Sequence, residues 1–144
     1  MERNIEHLWF FPHSPELVWD YLTKPELLSQ WLMENDIKAE VGHKFMFHTK
    51  PKIKLGFDGN IYCEVLDVVP YKKLSYTWKG GPKPGKINLD TVVTWTLTPK
   101  NNGTELLLEQ KGFKGMRNYI SYIFMNAGWV KIYKRWLAKV NSSK

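Results

Sequence analysis

Alternation with a period of two dominates the middle of the chain, and a helical period dominates its end. Leu74, Tyr76 and Trp78 share one parity against Ser75 and Thr77, while Val93, Trp95 and Leu97 oppose Thr94 and Thr96. Both stretches, 74–78 and 90–98, are therefore predicted strands. Residues 60–69 form a β-branched run stopped by Pro70, and 104–111 form another strand closed by Gly112. The apolar run 5–11, ended by Pro12, reads as the first strand. Segments 36–40 and 44–49 are expected to pair as a hairpin about Val41-Gly42-His43. The intervening stretches 50–58, basic and ending before Gly59, and 79–86 (KGGPKPGK) are loops.

Between the first strand and the hairpin lie two brief helical signals. Ser14 is a cap, Pro15 suits the first turn, and Glu16 favours the positive helix end. Leu17, Val18, Tyr21 and Leu22 follow at helical spacing. Thr23, Pro25 and Glu26 repeat the start signals ahead of Leu27, Leu28 and Trp31. Helices this short need a large surface to pack on.

From Gly115 to Val140 the period is helical throughout, and at ~1.5 Å per residue such a helix runs over 30 Å. Met116, Tyr119, Ile120, Ile123, Ala127, Val130 and Leu137 make one apolar face, expected to point inward. Tyr122, Trp129, Tyr133 and Trp136 widen the apolar region sideways, more than one buried face requires. Arg117, Ser121, Gly128, Lys131, Arg135 and Lys139 form a polar stripe.

The order is strand, two short helices, about six antiparallel strands and a long terminal helix, with no linker or repeat. That order predicts one α+β domain over 1–144. A long antiparallel sheet curls. A helix laid across its concave face leaves either a cavity or a deep core.

Composition bears on that choice without settling it. Seven Trp, seven Tyr and seven Phe exceed what a minimal core of 144 residues requires, and serve equally as cavity wall or tight packing. The one cysteine, Cys63, excludes an intrachain disulfide framework and fits a reducing compartment. No secretory leader and no run long enough to cross a bilayer is present, so a cytoplasmic protein without membrane insertion is expected. The net charge of +7 raises nucleic acid or an acidic membrane as partners. Lys and Arg are nevertheless scattered, densest at Lys50, Lys52 and Lys54 and in the terminal helix, and no nucleic-acid motif accompanies them. A solvated basic surface is the expectation, with no nucleic-acid partner.

Strand parity places Trp9 and Phe11, Phe45 and Phe47, Tyr76 and Trp78, Trp95, and Leu108 with Gln110 on inward faces. Tyr119, Ile120 and Ile123 are expected above them, with Leu28 and Trp31 at the mouth. Apolar walls with few polar groups are what small-molecule sites look like. Gln110 either orients a ligand's carbonyl or hydroxyl, or is satisfied by backbone or water. The four histidines lack metal-pair spacing, so neither metal nor cofactor is expected. No nucleophile elbow or phosphate loop occurs. Asp58, Glu64 and Asp67 serve as general bases only if buried.

Several local sequences resemble the START-like helix-grip (SRPBCC) superfamily, and within it the family related to the activator of the ninety-kilodalton heat-shock protein ATPase. They are Pro15-Glu16-Leu17-Val18-Trp19, Leu22-Thr23-Lys24-Pro25-Glu26 with Trp31, Glu64-Val65-Leu66-Asp67-Val68-Val69-Pro70 with Leu74 and Trp78, Gly103-Thr104-Glu105-Leu106, Gly112-Phe113, and Gly128-Trp129. The resemblance implies a curved sheet of about seven strands gripped by the terminal helix. Cys63 stands where a small residue is expected, which puts the usual strand kink in question. Since one scaffold of this kind hosts unrelated functions, three readings follow. The first is non-catalytic binding of a small hydrophobic or aromatic ligand, such as a lipid. The second is a co-chaperone-like protein interaction or homodimer through Tyr122, Trp129, Tyr133 and Trp136. The third is a cyclase- or hydrolase-like enzyme using Gln110, Tyr76 and a carboxylate.

Overall fold

A computed structural model describes residues 2–51 and 57–142. Among these the order is β1 (Glu2–Phe11), α1 (Pro15–Thr23), α2 (Pro25–Trp31), β2 (Glu34–Asn35), β3 (Lys44–His48), β4 (Asn60–Val69), β5 (Lys73–Gly80), β6 (Leu89–Lys100), β7 (Gly103–Lys114) and α3 (Gly115–Ser142). The strands form one curved, open antiparallel sheet in the order β1-β7-β6-β5-β4-β3-β2. β1 and β7, the first and last strands, are neighbours, which brings the terminal helix back over the start of the chain. The α+β helix-grip arrangement expected from the sequence is the one observed.

Strict alternation sets the register. Tyr76 pairs with Val93, Val93 with Gln110 and Gln110 with Ile5, while Leu74, Trp95 and Leu108 form the adjacent rung. All of these side chains are buried, and their sequence neighbours Thr94, Thr96, Leu107 and Glu109 lie on the outer face. A one-residue slip anywhere would carry the whole apolar set into water. The turn from β6 to β7 uses Asn101 and Asn102 with φ of 51° and 61°, a left-handed pair that Asn tolerates and that matches the strand twist. Gly112 has φ 115°, and a Cβ there would sit 2.9 Å from the Asp90 carbonyl oxygen. It lets β7 run on to Lys114 rather than closing it.

Ser14 caps α1, its Oγ accepting from the Leu17 amide at 3.2 Å. α2 differs from expectation. Its N-cap is Lys24, which offers no capping side chain, and Thr23 instead donates to the Trp19 carbonyl. The helix is held by burial of Leu28 and Trp31, whose Nε1 donates to the Tyr21 carbonyl at 2.9 Å.

The expected strand at 36–40 is also replaced. β3 pairs with the two residues of β2 instead, because Asn35 Oδ1 accepts from the Ile37 amide and Asp36 Oδ1 from the Met46 amide. These side-chain bonds offer the backbone an alternative to a ladder. β4 does bend, but at a register shift between Val65 and Asp67, past Cys63. Most of the basic loop at 50–58, including Lys52 and Lys54, lies outside the described residues.

Candidate functional site

α3 lies across the inner face, against β1, β7 and α2. Its inward row is the one built from Trp129 and Trp136, both fully buried, with Tyr122 and Tyr133 half-buried beside them. These residues therefore do not form an exposed partner or dimer surface. They pack on the first strand and the sheet: Tyr133 stacks on Trp9 at 4.8 Å between ring centroids and donates to the Phe10 carbonyl at 2.8 Å. Tyr122 meets Phe113 edge-on. The reverse correction holds for Tyr119, Ile120 and Ile123. They are 40%, 49% and 47% exposed, on the side of the helix turned away from the sheet, so they line no interior space. Ala127 and Val130 accompany them outside. The side chains of Met116 and Arg117 lie outside the described set.

The remaining predicted wall residues do converge. Trp9, Phe11, Leu28, Trp31, Phe45, Phe47, Tyr76, Trp78, Trp95, Leu108 and Gln110 are all buried on the inner side. Trp31 and Trp136 stack at 4.0 Å with 9° between planes. Trp129 reaches both Trp78 and Trp95 at 5.6 Å, and Phe47 meets Trp78 at 5.2 Å. Parity found the strand residues. It could not find Trp129 and Trp136, because both rows of α3 are apolar.

Polar groups punctuate this wall in a definite order. Trp129 Nε1 donates to Gln110 Oε1 at 2.9 Å, Gln110 Nε2 donates to Thr91 Oγ1 at 3.0 Å, and Thr91 Oγ1 donates to the Trp78 carbonyl at 2.8 Å. This relay fixes which way the Gln110 amide faces. Trp95 Nε1 donates to the Tyr76 hydroxyl at 3.0 Å, leaving Tyr76 its own proton to give. Trp136 Nε1 is buried with no hydrogen-bond partner. Burial pushes the Tyr76 hydroxyl pKa far upward, and the nearby Cys63 adds to that. The Cys63 thiol is raised chiefly by burial and further by Asp36. Both stay neutral at ordinary pH, so neither is a ready nucleophile or base.

No Asp or Glu among the described residues belongs to this aromatic wall. Among the described residues the buried polar side chains are His13, Ser75, Thr91, Thr104, Gln110 and Asn118. Asp67 pairs with Lys73 in solvent. Glu64 lies on the opposite parity from Cys63, and Asp58 is half-buried in the loop before β4, its Oδ1 accepting from the Asn60 amide and its Oδ2 enclosed without a partner. Among the described residues no group of three or more His, Cys, Asp or Glu stands close enough to hold a metal.

The order of elements and the aromatic interior agree with a family match covering residues 12–140, to the proteins described as "Activator of Hsp90 ATPase homolog 1-like protein". The chain belongs to this family. Protein MLL2253 from Mesorhizobium loti is similar along its whole length, with 35% identity, 99% of each chain covered and a TM-score of 0.87. Protein BH1534 from Bacillus halodurans is 29% identical over 96% of each chain, with a TM-score of 0.74. The Aha1 dimer from Colwellia psychrerythraea shares the fold at 20% identity over 90% of each chain, with a TM-score of 0.69. No curated protein matches. Among the described residues no helix is long and apolar enough to cross a membrane.

Proposed function

We propose that the 144 residues act as one START-like unit that holds a small apolar or aromatic molecule, without catalysis, between the sheet and α3. The observation that carries this reading is the aromatic wall with hydrogen-bonding groups to spare inside it. Tyr76 has a proton to donate and Trp136 a buried indole N–H with no acceptor. A buried donor left unmatched costs about 1–3 kcal/mol, so an unmatched one calls for a reason. A guest bearing a carbonyl or ether oxygen supplies the missing acceptor, while its apolar body replaces ring contacts. Because the wall rings touch one another and are shielded from solvent, entry requires them to part. A reducing, cytoplasmic setting suits the free Cys63.

The test is a titration with a panel of fatty acids and flavonoid-type polyphenols, read by amide and indole N–H shifts. The expected result is saturable movement of the Trp95, Trp129 and Trp136 indole signals, with a smaller response in Tyr76→Phe. A panel that leaves all three indoles unmoved overturns the reading.

A further inference from the structure

The outer face of α3 has its own character. Tyr119, Ile120, Ile123, Phe124, Ala127 and Val130 recur at helical spacing on its first half, with Phe124 59% exposed and the other large ones 40–49%. Along the same line the second half turns basic, with Lys131, Lys134 and Arg135 exposed. At the opposite end the Arg3 guanidinium lies 4.6 Å from the Tyr119 ring centroid. Across its 28 residues α3 contains no Asp or Glu. Leaving large apolar side chains in water on the helix face opposite a fully formed core needs an explanation outside the fold.

We propose that this face of α3 docks flat on an anionic membrane surface. Ile120, Ile123 and Phe124 enter the boundary between headgroups and acyl chains, while Lys131, Lys134 and Arg135 meet anionic headgroups. Charge complementarity selects this partner: an exposed apolar stripe joined to cations and free of acids is the pattern of an interfacial helix. A second copy of the chain fits less well. Pairing two acid-free helices sets like charges against each other and brings no opposite charges together. The whole surface lies within one helix, and the fold's part is to turn this row outward rather than onto the sheet. It needs no spanning segment, and it stands whether or not the interior takes a guest.

The experiment is flotation of the full chain with phosphatidylcholine vesicles containing about 30% phosphatidylserine and with pure phosphatidylcholine vesicles, at ~0.1 M and ~0.5 M salt. Binding is expected with the anionic vesicles alone, weakening at high salt. Neutralising one surface lysine is worth about fivefold in partition, so Lys131→Glu with Lys134→Glu should lower it by well over tenfold. Ile123→Ser with Phe124→Ser should lower it comparably, and both pairs are exposed, so circular dichroism should stay unchanged. Lys83→Glu with Lys86→Glu, an equal charge change in the β5–β6 loop, should leave most of the binding. Equal loss from that control pair, equal binding to neutral vesicles, or no binding at all overturns the proposal. So does a dimer in light scattering that Phe124→Ser dissociates without any effect on vesicle binding.

Discussion

The inner and outer rows of α3 are alike in apolar content and opposite in fate. The inner row carries Asn118, Tyr122, Trp129, Tyr133 and Trp136; the outer carries Tyr119, Ile120, Ile123, Phe124 and Val130. The inner side chains are longer, and most end in a polar group. Trp129 can span from the helix to Gln110 in the centre of β7, and Tyr133 to the Phe10 carbonyl on β1. An isoleucine in either position would neither fill the depth of a curled sheet nor satisfy the groups waiting there. His7 and Asn126, with Nε2 and Oδ1 2.9 Å apart, and His13 and Asn141 at 2.7 Å, tie the flank and the C-terminal end of the helix to the β1 region. Reach and hydrogen bonding, more than hydrophobicity, choose the buried face.

The sharpest way to break this comparison is truncation of both rows. Trp129→Ala and Trp136→Ala should each cost about 3–5 kcal/mol in urea unfolding. Ile120→Ala and Ile123→Ala should stay within ~0.5 kcal/mol. Reversed magnitudes would show that the helix sits the other way round. The conservative pair separates packing from hydrogen bonding. Trp129→Phe leaves Gln110 Oε1 without its donor, whereas Trp136→Phe removes an indole N–H that has no partner, so Trp129→Phe should be the more damaging.

Next in size is the relay itself. Gln110→Leu keeps the volume but strands the Trp129 indole N–H, and it should cost about 2 kcal/mol by the same measurement. A neutral outcome would mean that the relay is incidental and that ring packing alone positions α3.

These contrasts also mark how far residue order reaches. The strands of the sheet were legible because alternation has only two phases, and burial of Tyr76, Trp95 and Gln110 follows from either neighbour. α1 was legible from Ser14 and Pro15. The orientation of α3 was not: residues 115–140 are apolar on more than half their circumference, and periodicity cannot rank two apolar rows. Nor can it foresee that Asn35 and Asp36 divert the backbone from a longer β2, since those bonds depend on where β3 lies. Of the candidate interior, the sheet wall was visible and the helix's contribution was inverted.

Ionisation extends the inside–outside contrast to pH. In the unfolded chain Cys63 and Tyr76 release protons near their ordinary values of 9.0 and 10.0, whereas burial holds both protonated in the fold. Above pH 9 the unfolded state therefore binds fewer protons, and stability falls as pH rises. Each group adds at most about 1.4 kcal/mol per pH unit to that slope. Below pH 8 neither contributes. Cys63→Ala should flatten the urea midpoint between pH 9 and 10, and Tyr76→Phe should flatten it above 10. Identical slopes in parent and variants would place both groups within reach of water.

The smallest effect tests the rim of the inner row. The Tyr133 hydroxyl donates to the Phe10 carbonyl on the sheet-edge strand β1, in a partly exposed setting where water can replace it. Tyr133→Phe keeps the stack on Trp9 and should cost about 1 kcal/mol. If that bond also pins α3 to the sheet edge, hydrogen exchange should quicken at residues 126–140 and stay unchanged in β4 and β5. Uniform acceleration would mean that α3 and the sheet open together, and that the helix owes its position to the tryptophans beneath it.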